Sequence, residues 1–364
     1  MPNYNLTPGR QALAIRDQLE TVLVRRLPHL LQPSASRMLT AITGLAPTGA
    51  TAPAEATEPR AFALMMAAIL AGLAGLFLPV PLAIAAGLLL VHGMRQFSSV
   101  VGHHMTHGAK VMPGPAWLRR VIYDVASAML LLPRFEAYRR DHQRHHAYAA
   151  GPRDTDQRFI AWLGARFDGV VPFGLTIVEP RFHARFLWAR LRANLAEGPL
   201  ARRALALAFN AAMLWSASLA WVMFAGVLYQ IATLVQWASE HLWGTRPEGQ
   251  APMETSIAVT YGRLLLPDPG DHSLPGLLAH LAVYAAFRFL LVTGDLVNHD
   301  LHHLAIGPWT HHPYVRNRLI LEGRIPLRQT VSLQGTFRVA FDSARGTADP
   351  QPPRNMDGGQ MLGM

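Results

Sequence analysis

Two apolar stretches without a charged residue, Ala61 to Met94 and Ala204 to Ala238, most constrain what this chain can fold into. A bilayer crossing takes about 20 residues, so each stretch is too long for one ordinary span. Leu78-Pro79-Val80-Pro81 interrupts the first, which predicts two spans at about 61–78 and 82–102 joined by a very short turn. The second reads as another tight hairpin, with spans at about 204–220 and 222–240 and a turn between Ser218 and Gly226. A single long tilted helix is the competing reading. Lys110, Arg119 and Arg120 follow the first pair, and Arg202 and Arg203 precede the second, which places those ends in the cytoplasm. The expected fold is an all-α integral membrane protein: two transmembrane helical hairpins, four spans, under a cytoplasmic helical cap.

Around this frame, residues 1–60 form an amphipathic segment and a linker. Leu13, Leu19, Leu23, Leu27 and Leu30 recur at helical spacing with Arg16, Arg25 and Arg26 between them. Such a helix either lies on the membrane surface or packs on the protein itself. Residues 46–60 are rich in Pro, Ala and Thr, a linker by composition. The main domain runs over 61–340, and the polar tail at 341–364 is expected to be disordered. Leu277 to Val297 is apolar but carries His280, Arg288 and Asp295. A mid-helix Arg is costly in lipid, so this helix belongs within or beneath the cap.

Only 15% of the residues are charged, against a usual share of about 25%. The net charge of +10 comes from arginines scattered among apolar runs, with no nucleic-acid motif. It fits basic cytoplasmic loops that attract anionic lipid or an acidic electron-transfer partner. There is no cysteine, which excludes disulfides, thiolate-ligated metals, an iron–sulfur cluster in the chain and a catalytic thiol. No short basic region followed by an apolar core marks a cleaved signal peptide.

Nine of the 17 histidines fall in three short segments: His103-His104-Met105-Thr106-His107, His142-Gln143-Arg144-His145-His146 and His299-Asp300-Leu301-His302-His303. The last two share the pattern HxxHH. Positions i, i+3 and i+4 lie on one helix face, so each segment can aim several imidazoles at one point. Imidazole suits Zn, Cu, Fe and Ni. A zinc ion normally takes four ligands, so eight or more histidines fit two metal ions better than one zinc. No HExxH is present, which argues against a zinc protease.

These segments resemble the histidine boxes of the membrane fatty acid desaturase and hydroxylase superfamily. His103-His104-Met105-Thr106-His107-Gly108 is similar to its first box, HDxxHG, with His104 where Asp is frequent. The two HxxHH segments match its second and third boxes, and Asp154-Thr155-Asp156 resembles the DPD-like element after the second. The resemblance covers roughly residues 60–320. It implies two non-haem iron ions held by His103, His107, His142, His145, His146, His299, His302 and His303, with His241 as a further ligand at the end of the fourth span. His104, Asp154, Asp156, Asn298 and Asp300 are the residues expected to back those ligands, since metal-bound imidazoles pass their second N–H to an acceptor. Some desaturases carry an Asn four residues before the histidine matched by His241; here that position is Trp237. His311-His312-Pro313 matches no box and reads as loop or cap packing, and His92 and His280 as polar residues satisfied in a helix bundle.

The resemblance implies an O2-dependent oxidase acting on a fatty acyl chain, most simply a desaturase. Hydroxylation, or oxidative decarboxylation to a terminal alkene, is open on the same scaffold. Electrons then come from a separate ferredoxin, rubredoxin or cytochrome. A non-enzymatic metal carrier or sensor is the alternative of another class, and it calls for polar groups along the spans. Richness in Ala, Arg and Leu points to a bacterial inner membrane with the site facing the cytoplasm.

Overall fold

The computed structural model describes residues 9–52, 58–151, 153–156, 179–238, 262–263, 273–294, 296–304, 311–322 and 330–331. Within these the protein is helical, apart from a two-residue parallel pairing of Gly262–Arg263 with Thr330–Val331. The linker 53–57, His241 and the tail 341–364 lie outside the described residues.

The first apolar stretch forms α3 (Glu58–Gly75) and α4 (Val80–Gln96), with Pro79 capping the start of α4. These helices pack closely because glycines face the contact. A Cβ on Gly72 would lie 2.7 Å from the backbone nitrogen of Leu90. Gly72→Leu is therefore expected to force the pair apart at a cost of about 1–3 kcal/mol or more. Thermal unfolding in detergent should show this against the exposed control Ala71→Leu; equal melting points would contradict the close contact.

The second stretch forms α9 (Leu200–Trp221), a π-helical segment (Val222–Leu228) and α10 (Tyr229–Ala238). Ala217 leaves helical geometry at φ −141°, ψ 37°. The Trp221 ring lies 5.8 Å from Phe209, and its indole N–H donates to Asn210 Oδ1 at 3.2 Å. In a straight helix residues 12 apart are separated by about 18 Å, so the helix kinks sharply at Ala217. The kink falls one residue before the stretch where a turn is expected.

Two helices are long and apolar enough to cross a membrane, Val80–Thr106 and Leu200–Trp237; Phe62–Gly75 and Pro275–Leu290 are shorter apolar helices. Leu64, Leu70, Val80 and Ile84 on the first pair and Leu207, Trp215 and Leu219 on the second expose their side chains, as lipid-facing residues do.

Between the pairs lie α6 (Ala116–Met129), α7 (Phe135–Tyr148) and α8 (Pro180–Ala196). Arg190 on α8 is buried and has no carboxylate partner among the described residues. Its guanidinium donates to the carbonyls of Leu130, Leu131 and Ala225 at 2.9–3.1 Å and covers the Tyr229 ring at 4.9 Å. It ties α8 to the α6–α7 corner, where Leu131 sits at φ 54°, and to the π-helical segment.

The N-terminal helices α1 (Gly9–Leu19) and α2 (Gln32–Thr43) pack on the protein. Ala12, Leu13, Ile15, Leu19 and Leu39 share a core with Leu277 of α11 (Leu274–Leu290) and Ile320 of α13 (His312–Leu321). Arg16 is fully buried, bonded to Glu20, Thr40 and the Leu45 carbonyl. A helix lying on lipid would leave that guanidinium in water, so packing on the protein is the reading that holds. α11 packs on α2 and α4. Its Arg288 bonds the carbonyls of Ala41, Val292 and Gly294, which accounts for an arginine in an apolar helix.

Candidate metal centre

The first histidine segment continues α4. Helical geometry loosens into a π-turn at Phe97–Gly102 and tightens again in the single turn α5 (His103–Thr106). π-turns of this kind frequently mark functional sites, because the extra residue rotates the next helical turn about the axis. The second segment lies on α7, with His142 and His145 on its buried face and His146 half-buried beside them. The third forms the short helix α12 (His299–Leu304).

The three segments meet in two adjoining groups. Ring nitrogens of His103, His107, His142, His146 and His302 lie within 4.8 Å of one another, and those of His145, His299 and His303 do the same. His142 Nε2 is 2.9 Å from both His107 Nε2 and His146 Nε2, and His146 Nε2 is 3.0 Å from His302 Nε2. His303 Nε2 is 3.2 Å from His299 Nε2 in the second group. The His146 and His303 rings stack at 4.3 Å, where the groups touch.

This convergence fits a cation. A neutral imidazole nitrogen carries either one hydrogen or one lone pair, so His142 Nε2 and His146 Nε2 cannot each satisfy two nitrogen neighbours by hydrogen bonding. Imidazoles bound to one ion at about 2.0–2.1 Å have neighbouring nitrogens about 3 Å apart, the spacing seen here. Burial, followed by repulsion from His103, holds His142 and His302 well below the ordinary imidazole range. Burial and the neighbouring His145 push His146 down to about 2. These three rings are therefore neutral at cellular pH, the form that binds metal.

The second nitrogens of His103 and His145 are held from behind. His103 Nδ1 faces the Ser99 carbonyl at 3.2 Å and so carries the hydrogen. His145 Nδ1 lies 3.0 Å from Asp154 Oδ2 and 3.5 Å from Asp156 Oδ2. The Asp154 carboxylate also accepts from the Ala150 and Asp156 backbone N–H groups. Trp237 donates to Asp156 at 2.8 Å, so the indole at the position where some desaturases have Asn supports a carboxylate beside His145.

His104 is buried beside His103 and His302 but belongs to neither group. Asn298 is turned to other work. Its amide donates to the Gly44 carbonyl at 3.3 Å and accepts from Arg316 Nε, fixing the start of α12 to the N-terminal segment and α13. Gly44 has φ +74°, and a Cβ there would strike the Val297 side chain. Asp300 lies on α12 by its backbone. His312, read from the sequence as loop or cap packing, is buried on α13 with its ring 6.4 Å from His302 and belongs to neither group.

A cavity of about 80 Å³ abuts His103, His142, His145 and His299 and is also lined by Arg95, Tyr138, Gln236 and Trp237. It has room for dioxygen and a few waters.

The sequence model of the fatty acid desaturase family matches residues 78–266, just over half of the chain. The chain belongs to the fatty acid desaturase family. No curated protein and no solved structure matched it. The match includes the first two histidine segments of this desaturase-family chain and stops before the third. Membership makes it an oxidoreductase associated with membranes and acting on lipid acyl chains.

Proposed function

We propose that this protein is a membrane-bound, O2-dependent di-iron oxidase that desaturates a fatty acyl chain. One observation supports it above the rest. The third histidine segment lies outside the matched family region, yet it supplies His302 to the group of five and His299 and His303 to the group of three. Those groups would each hold one iron, with His241 as a ninth ligand. Two irons there supply the O2-activating chemistry.

The chain's own residues do the rest. Asp154 and Asp156 orient His145, the Ser99 carbonyl orients His103, and the cavity walled by Arg95, Gln236 and Trp237 admits O2 while limiting water. In the balanced reaction an acyl CH2–CH2 unit loses two hydrogens and O2 takes up two electrons and two protons, giving a double bond and two waters. The electrons come from a separate carrier, because a chain without cysteine holds no iron–sulfur cluster of its own. We place the four spans in a bacterial inner membrane, with the cap and the histidines on the cytoplasmic side, on the arginine distribution.

Expression in a bacterial host lacking such enzymes tests the reading. Gas chromatography with mass spectrometry of total fatty acids and culture headspace should show a new unsaturated chain in iron-replete cells and none in iron-depleted ones. A hydroxylated chain or a volatile terminal alkene would move the reaction to another outcome of the same centre. Purified protein that binds no iron would overturn the proposal.

A further inference from the structure

We propose that the outer face of α7 is the docking site for an acidic protein that carries one electron at a time. This rests on the reading of the histidine groups as an O2-using metal centre that needs electrons from outside the chain. α7 has two sides of opposite character. Its buried side carries His142 and His145, packed toward α5 and the π-turn at the end of α4. Its other side carries Arg139, Arg140 and Arg144, with side-chain exposures of 40% and 58% for the first two and Arg144 also exposed.

Neighbouring elements extend that charge. Arg120 of α6 is 51% exposed, and Arg153 is exposed beside the Tyr148 ring. Glu136 lies among these arginines and bonds Arg139 at 2.8 Å and Arg120 at 3.3 Å, which holds both guanidinium groups in place. The remaining carboxylate of α7, Asp141, is buried and pairs with Arg140 at 3.6 Å, leaving Arg144 and Arg153 to carry the excess positive charge.

Position selects the partner. The arginines of α7 lie on the helix that carries the second histidine segment. A carrier seated there is separated from the histidines by one helix, about 10 Å thick. Electron transfer slows steeply with distance, so this is the face where docking is most productive. An acidic surface would be steered to it, and steering raises association rates by about tenfold or more at low salt. Each docking event oxidises one carrier and reduces the metal centre by one electron, and two events supply the pair that O2 consumes.

The test uses full-length, iron-loaded protein in nanodiscs, Arg140→Glu/Arg144→Glu in the same form, and an acidic plant-type [2Fe–2S] ferredoxin as probe. Binding is read by surface plasmon resonance across a salt series, and electron entry by the rate of ferredoxin oxidation. Wild type should bind with an affinity that falls as salt rises. The variant should associate at least about tenfold more slowly, while its iron content and its reduction by photoreduced deazaflavin stay at the wild-type level. Equal binding by variant and wild type, no binding by wild type, or a variant defective only toward phosphatidylglycerol vesicles would each overturn the docking proposal. Failure of both proteins to react with O2 after deazaflavin reduction would count against the oxidase reading instead, since ferredoxin binding is scored independently of turnover.

Discussion

His146→Ala should abolish the O2-dependent product and reduce bound iron by at least half, with metal affinity falling more than about 100-fold. His146 stands where the two histidine groups touch, 3.0 Å from His302 Nε2 and stacked on His303, so its loss opens both. The metal-free protein should behave differently. Without a cation, buried neutral imidazoles only crowd one another, so the variant should fold as stably as the unsubstituted chain at neutral pH. In acid it should be more stable. The folded-state affinity of His146 for a proton lies near pKa 2, far below the ordinary 6.5. As pH falls below 6.5, the unfolded chain binds a proton that the native cluster refuses, and stability is lost at about 1.4 kcal/mol per pH unit for that group. Removing the ring removes that slope. Iron analysis and thermal melts of the metal-free protein at pH 7.5 and 5 decide it. Unchanged iron would remove His146 from the centre.

Asn298→Leu should be the most damaging substitution that touches no histidine. Asn298 links the Gly44 carbonyl to the fully buried Arg316 immediately before His299. Leucine breaks both bonds and leaves part of a buried guanidinium unsatisfied, a cost of about 2–4 kcal/mol. Because the group of three draws His299 and His303 from this helix, its ion should be lost first. Asn298→Asp keeps an acceptor for Arg316 and should retain more iron than Asn298→Leu. Equal iron in both variants would show that the linkage does not position the helix.

The spacing of the histidines was legible in the sequence because a helix turns i, i+3 and i+4 to one side whatever surrounds it. Which nitrogens would meet was not, since that depends on how three distant segments pack. Ala217 carries no mark of a kink in a run of helix formers; Trp221 bonding Asn210 reveals it. The amphipathic pattern of α1 looks the same on lipid and on protein, and only the burial of Arg16 separates the two. Asn298 read as a residue backing a ligand by its position beside His299, whereas its amide serves Gly44 and Arg316. His312 read as loop or cap packing because it fits no box, and it is buried on α13 near His302; that nearness could not be read from the sequence.

The distribution of the histidines along the chain also dictates an order of birth. A ribosome adds about 5–20 residues per second from the N-terminus. Both apolar stretches are therefore complete while the third histidine segment is still unmade. Neither metal group can close until His299, His302 and His303 emerge, and α12 is not braced until Arg316 follows. On the di-iron proposal, iron would arrive only after these segments are made, as one of the last events of maturation. Until α13 is made, Leu13, Leu19 and Leu39 of the N-terminal helices await part of the surface they bury, Ile320. A chain truncated shortly before Arg316 would insert normally, carry all its ligands and still hold its third cluster slack.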